Sequence, residues 1–163
     1  AVVSGMHLRT YSARIEIMKN MVKSLRELTK FGKKMGIQVM LENMPAGAGI
    51  SSWKDYKLII DEVPSLKSHL DIGHAFISPD GMAQIKKFVA AIKDNLHHVH
   101  ISDNHGKSDE HLPLGSGLIN FEQIVKILKE INYDRTITFE VFVANRHLVR
   151  ESMEYFKKLW NKA

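Results

Sequence analysis

Apolar and polar positions alternate along this chain between two periods. From about residue 11 to 35, Ile15, Met18, Val22, Leu25 and Leu28 recur every three or four positions, the spacing of one helix face. Gly36 follows where a helix C-terminus favours glycine. Gln38 to Glu42 reads as a strand. Residues 52 to 62 predict a short helix that Pro64 ends. Ser68 to Ile72 is the next strand, and Pro79 and Asp80 open a helix running to about Asp94. His97 to Ser102 is a strand, followed by a long polar loop over residues 103 to 119. Asn120 caps a helix with Gln123 at the capping-box position, and Phe121, Ile124, Val125 and Leu128 supply its buried face. Thr136 to Val141 is the last strand, and the last helix carries Leu148, Tyr155, Phe156, Leu159 and Trp160. Ahead of all of these, Ala1 to Gly5 is a short strand candidate.

Strand and helix alternating in this way predict a parallel α/β architecture. The strands refine it. Ile137, Phe139 and Val141 oppose Thr136, Thr138 and Glu140, and Val99 and Ile101 oppose His98, His100 and Ser102. A doubly wound sheet buries both faces and has near-continuous apolar strands. Here one face is apolar and the other polar, which suits a barrel with helices outside. About five strand–helix units fit, against the eight of a full (β/α) barrel of roughly 250 residues. The expectation is one domain over residues 1–163, a partial TIM barrel lacking its N-terminal units. Open sheet edges recruit other chains, so a homo-oligomer is expected.

Composition narrows the class. The chain has 163 residues, 44% hydrophobic and 25% charged, as in ordinary soluble domains. No apolar run approaches the roughly 20 residues of a membrane span, and no signal segment opens the chain. Cysteine is absent, which removes disulfides and thiolate metal sites. The expected location is the cytoplasm. The net charge is +5. Lys19, Lys23, Arg26 and Lys30 alternate with Glu16 and Glu27, as on a solvated helix face, so the charge does not call for a nucleic-acid partner.

The chemistry sits at the strand ends. Glu42, Asp71, His100 and Glu140 each close a predicted strand, and the first three follow one another at 29-residue intervals. A strand with its return helix takes roughly 30 residues, so the four recur about once per unit. They fall at the C-terminal edge of one sheet, where barrel enzymes place their active sites. Two Glu, one Asp and one His converging there make a divalent-metal site.

Leu41-Glu-Asn-Met-Pro45, Leu70-Asp-Ile-Gly-His74, His98-Val-His-Ile-Ser-Asp-Asn104, Asp109-Glu-His-Leu-Pro-Leu-Gly-Ser-Gly117 and Phe139-Glu-Val141 resemble, in order, the xylose-isomerase-like barrel superfamily. It includes sugar isomerases and epimerases and an apurinic/apyrimidinic endonuclease branch. The resemblance implies one divalent metal (Mn, Mg, Co or Zn) on Glu42, Asp71, His100 and Glu140. It gives Glu42 and Glu140 the proton transfer of a sugar or sugar phosphate isomerase or epimerase working through an enediolate. His74 would contact substrate or, with Asp109 and His111, hold a second metal as in the endonucleases. The alternatives are a phosphodiesterase acting on abasic DNA and an inactive barrel fragment. Two departures stand out. Val3 occupies a position where the endonucleases carry a His ligand. Gly106 stands where epimerases often carry an Arg, leaving Lys107 as the neighbouring candidate for substrate. His98 is expected to line the interior; His69 and His147 belong to no motif.

Overall fold

The computed structural model describes residues 11–163, with side chains from residue 14 onward. The candidate strand at Ala1 to Gly5, and with it Val3, lies outside them. Four strands form one parallel sheet in chain order: β1 (Met40–Glu42), β2 (Lys67–Asp71), β3 (Leu96–Ile101) and β4 (Thr136–Phe139). The helices are α1 (Tyr11–Lys34), α2 (Trp53–Glu62), α3 (Ile72–Phe76), α4 (Met82–Ile92), α5 (Phe121–Glu130) and α6 (His147–Lys162).

The two faces of the sheet differ as the alternation predicts. Leu70, Val99 and Ile101 are wholly buried in one cluster with Ile59, Phe88, Ile124 and Leu128 from α2, α4 and α5. Burying such a side chain stabilises the fold by about 1.5–3 kcal/mol. The opposite face carries His69, His98, His100 and Thr138, which touch one another. His98 bonds the hydroxyls of Thr136 and Thr138 at 2.6 and 2.9 Å, which places it on the polar face of the sheet.

Several boundaries move for local reasons. α3 was not legible in the sequence, because five residues are too few to show a helical period. It forms because Asp71 ends β2 and caps the next turn, its Oδ1 accepting from the His74 backbone N–H at 2.8 Å. α4 starts late because Gly81, at φ +46, interrupts the chain before Met82. β4 stops at Phe139. Glu140 still donates its backbone N–H to Ile101 O at 3.0 Å, but the N–H of Phe142 goes to His111 O, which turns the chain toward the loop. The Asn120 cap is as expected, accepting from the Gln123 N–H at 3.0 Å.

Candidate active site

The ends of the four strands bring Glu42, Asp71, His100 and Glu140 together, one ligand atom from each within 4.8 Å of the others. His100 Nδ1 is at the centre. It lies 2.8 Å from Glu140 Oε2, 3.3 Å from Glu42 Oε1 and 3.8 Å from Asp71 Oδ2. Asp71 divides its work: Oδ1 caps α3, while Oδ2 faces the cluster. Asp71 Oδ2 is buried without a hydrogen-bond partner, and His100 Nδ1, though close to carboxylate oxygens, meets none of them in hydrogen-bond geometry. A buried polar atom left unpaired is costly, and a divalent cation satisfies both. The donor set is hard, three carboxylates and one imidazole, as such a cation requires.

The electrostatics agree. Burial raises the Glu42 pKa, against the lowering effect of His100 and His74, and Glu140 adds to the rise. Burial pushes Asp71 up to about 6, with His74 opposing it. A raised carboxylate pKa means the fold binds the proton better than the unfolded chain. Stability therefore falls as pH rises from about 4 through 6. We expect Asp71→Asn to stabilise the metal-free chain at pH 7 by on the order of 2 kcal/mol, because the amide keeps the cap and removes a buried charge. The gain should vanish near pH 4, and added Mn²⁺ should raise the melting temperature of the parent only. An Asn variant no more stable than its parent at pH 7 would show that the carboxylate is not under strain.

A second cluster lies alongside. His74 Nε2 and His111 Nε2 each sit 3.1 Å from Asp109 Oδ2. The other nitrogen of each ring faces a backbone carbonyl: His74 Nδ1 to Asn43 O at 2.8 Å, His111 Nδ1 to Glu140 O at 2.9 Å. A carbonyl only accepts, so each Nδ1 carries its hydrogen. A neutral ring would then turn a lone pair toward the carboxylate. Positive rings or a shared cation resolve that conflict, and a carbonyl-fixed Nδ1–H is the usual companion of a metal-bound Nε2. Burial depresses the His74 pKa, but Asp71, the Asn43 carbonyl and Asp109 outweigh it, so the net shift is upward. Phe142 stacks on His111, ring centres 4.2 Å apart.

Lys107 is exposed and joins neither cluster. Gly106 has φ +77, which explains a glycine at that turn in place of an arginine. Four groups went unassigned in the sequence. Asn43 is wholly buried and continues the β1–β2 ladder with its side chain: Oδ1 accepts from Asp71 N at 2.8 Å, and Nδ2 donates to Asp71 O at 3.0 Å. Asp103, also wholly buried, anchors the loop that carries Asp109 and His111. His69 packs under His100, its ring neutral because burial, His100 and His98 push its pKa down to about 3. Phe142 gave no signal beyond being aromatic.

A family model described as a xylose isomerase-like TIM barrel matches residues 1–159. An uncharacterised protein of Methanocaldococcus jannaschii is 37% identical over 123 residues, covering 76% of this chain and 47% of the relative. An L-ribulose 3-epimerase of a Methylomonas species is 33% identical over 127 residues, covering 76% of this chain and 42% of the relative. The solved structure of a D-tagatose 3-epimerase-like protein superimposes with a TM-score of 0.80 at 29% identity, covering 98% of this chain and 61% of that one. The chain thus spans about half the length of the sequence relatives it matches.

Proposed function

The chain belongs to the xylose isomerase-like TIM barrel family, and on that premise we propose that it carries the metal centre and the proton-transfer carboxylates of a metal-dependent sugar or sugar phosphate isomerase or epimerase. The carrying observation is the convergence of Glu42, Asp71, His100 and Glu140 from four successive strand ends, with two buried ligand atoms otherwise unpaired. The 3-epimerase names of its relatives favour a ketose substrate.

Mn²⁺, Mg²⁺ or Co²⁺ suits the donor set, with Zn²⁺ also compatible. Bound on these four residues, such an ion supplies Lewis-acid polarisation of the substrate carbonyl. The remaining work falls to the protein. Glu42 takes the proton from the carbon beside the carbonyl, and Glu140 returns one from the other side. The raised Glu42 pKa moves its basicity toward neutral pH, where proton transfer is most effective. His74 orients a substrate hydroxyl beside Asp109.

One observation favours a second reading, a metal-dependent phosphodiesterase acting on abasic DNA. The carbonyl-fixed rings of His74 and His111 on Asp109 suit a further cation, and clustered metals serve that chemistry.

The protein should bind Mn²⁺ in calorimetry. In deuterated water it should exchange the C3 hydrogen of a ketose, followed by proton NMR over a panel of ribulose, psicose and tagatose. Failure to bind metal would end the proposal. Cleavage of an abasic duplex without ketose exchange, at two or more ions per chain, would move it to the second reading.

Among the described residues no helix is long and apolar enough to cross a membrane.

A further inference from the structure

Beneath the four-residue cluster, β2 and β3 project a second layer of imidazoles onto the same polar face. The His69 ring meets His100 edge-on at 4.0 Å and His98 at 4.8 Å. The β2–β3 ladder is interrupted here: Ser68 pairs with Leu96 and His69 with His98, which leaves His97 as an extra residue. The Tyr56 hydroxyl wedges in beside this bulge, accepting from the His69 backbone N–H at 3.2 Å and donating to Leu41 O. His69 stands on β2 at the step where β3 carries the extra residue, and its Nε2 is buried with no hydrogen-bond partner. That nitrogen faces Glu42 Oε1 at 3.8 Å.

We propose that His69 is a positioning residue for Glu42, donating its Nε2–H to Oε1 and thereby holding the carboxylate in the orientation that binds metal and substrate. The separation is ~1 Å longer than a hydrogen bond. The Glu42 side chain is 33% exposed while His69 is 12% exposed, so a rotation about the side-chain bonds of Glu42 closes the gap. His100 Nδ1 and His69 Nε2 approach the same oxygen, which leaves Oε2 for the substrate proton. Outer-shell donors of this type fix a ligand's orientation and typically contribute 10–100-fold in metal affinity.

The inference rests on the metal site proposed above. Its test contrasts His69→Gln with His69→Met. Both side chains are unbranched and similar in length, and only Gln retains an N–H donor. The probe is Mn²⁺ alone, titrated into each protein by calorimetry, with thermal unfolding as a control for folding. His69→Met should bind Mn²⁺ about 10–100-fold more weakly than the parent, and His69→Gln should recover most of the loss. Parent-like binding by His69→Met would overturn the inference while leaving the metal site standing. Equal weakening in both variants would also overturn it, as would His69→Met failing to fold while a folded His69→Gln bound weakly. A parent that takes up no Mn²⁺ would remove the site itself and the inference with it.

Discussion

Replacing Asp103 with Ala is expected to destabilise the protein by on the order of 4–6 kcal/mol and to release the segment from residue 104 to 119. The carboxylate is wholly buried and accepts four backbone N–H groups: Asn104 and Ile119 on Oδ1 at 2.9 and 3.1 Å, Gly115 and Gly117 on Oδ2 at 2.9 and 2.8 Å. A hydrogen bond to a charged group contributes about 1.5–3 kcal/mol, and donors left buried without a partner cost more. The four are not additive, which keeps the estimate below their sum. Even so, it is a large fraction of the roughly 5–15 kcal/mol that holds a typical domain. Gly117 shows how closely the loop is drawn in: a Cβ there would stand 2.5 Å from both Asp103 Oδ1 and Asn104 O. Asp103→Asn should be nearly as damaging, since its NH₂ would face the N–H groups of Gly115 and Gly117. Urea unfolding gives the stability, and amide hydrogen exchange at Gly115, Gly117 and Ile119 gives the local effect. An unchanged midpoint with protected amides would mean that the remaining bonds of the loop, such as Leu118 N–H to Asn104 O, hold it without the carboxylate.

Replacing Glu140 with Gln should weaken Mn²⁺ binding by more than the ~100-fold typical of a lost outer-shell group, because an anionic ligand is removed outright. Solvent exchange of the substrate hydrogen should slow by about 10²–10⁴-fold, the usual contribution of a general acid or base. Glu42→Gln should do the same. Glu140 holds its place through its backbone as well: its N–H bonds Ile101 O and its carbonyl receives His111 Nδ1. The substitution therefore leaves the fold intact, and lost binding would report on the side chain. Full metal occupancy in Glu140→Gln would remove it from the ligand set. Normal exchange with weakened binding would transfer the proton step to another group.

How much of this was legible in the sequence depends on the length scale of the signal. The strand–helix alternation was readable because each element carries several apolar positions at a fixed period, as Phe121, Ile124, Val125 and Leu128 do on α5. The four cluster residues were readable because a strand end is a place that a pattern can locate. Asp103 stands one residue past the predicted strand in a polar loop, where aspartates are common, and three of its four partners are main-chain groups 12 to 16 residues away. Main-chain donors leave no mark on composition. His69 was hidden for another reason: its placement depends on a bulge between β2 and β3, and an extra residue in a ladder is a property of two strands read together. The expected role for Lys107 came from a neighbouring position in a family pattern, and Gly106 at φ +77 gives that stretch of loop a course of its own.

The Asn43 side chain has a consequence for strand slippage. β1 pairs over only three residues, short enough to slide against β2 at small cost. A slide of one position would carry Leu41 to the place of Glu42 and turn an alkyl group toward the cluster, since neighbouring residues in a strand face opposite ways. Asn43 prevents this by gripping Asp71 at both its N–H and its C=O, a two-point clasp that fits at one offset alone. Its own carbonyl, held by His74 Nδ1, extends the clasp to the neighbouring imidazole. One uncharged amide thus acts as a detent, fixing by its reach which residue of a very short strand is presented for chemistry.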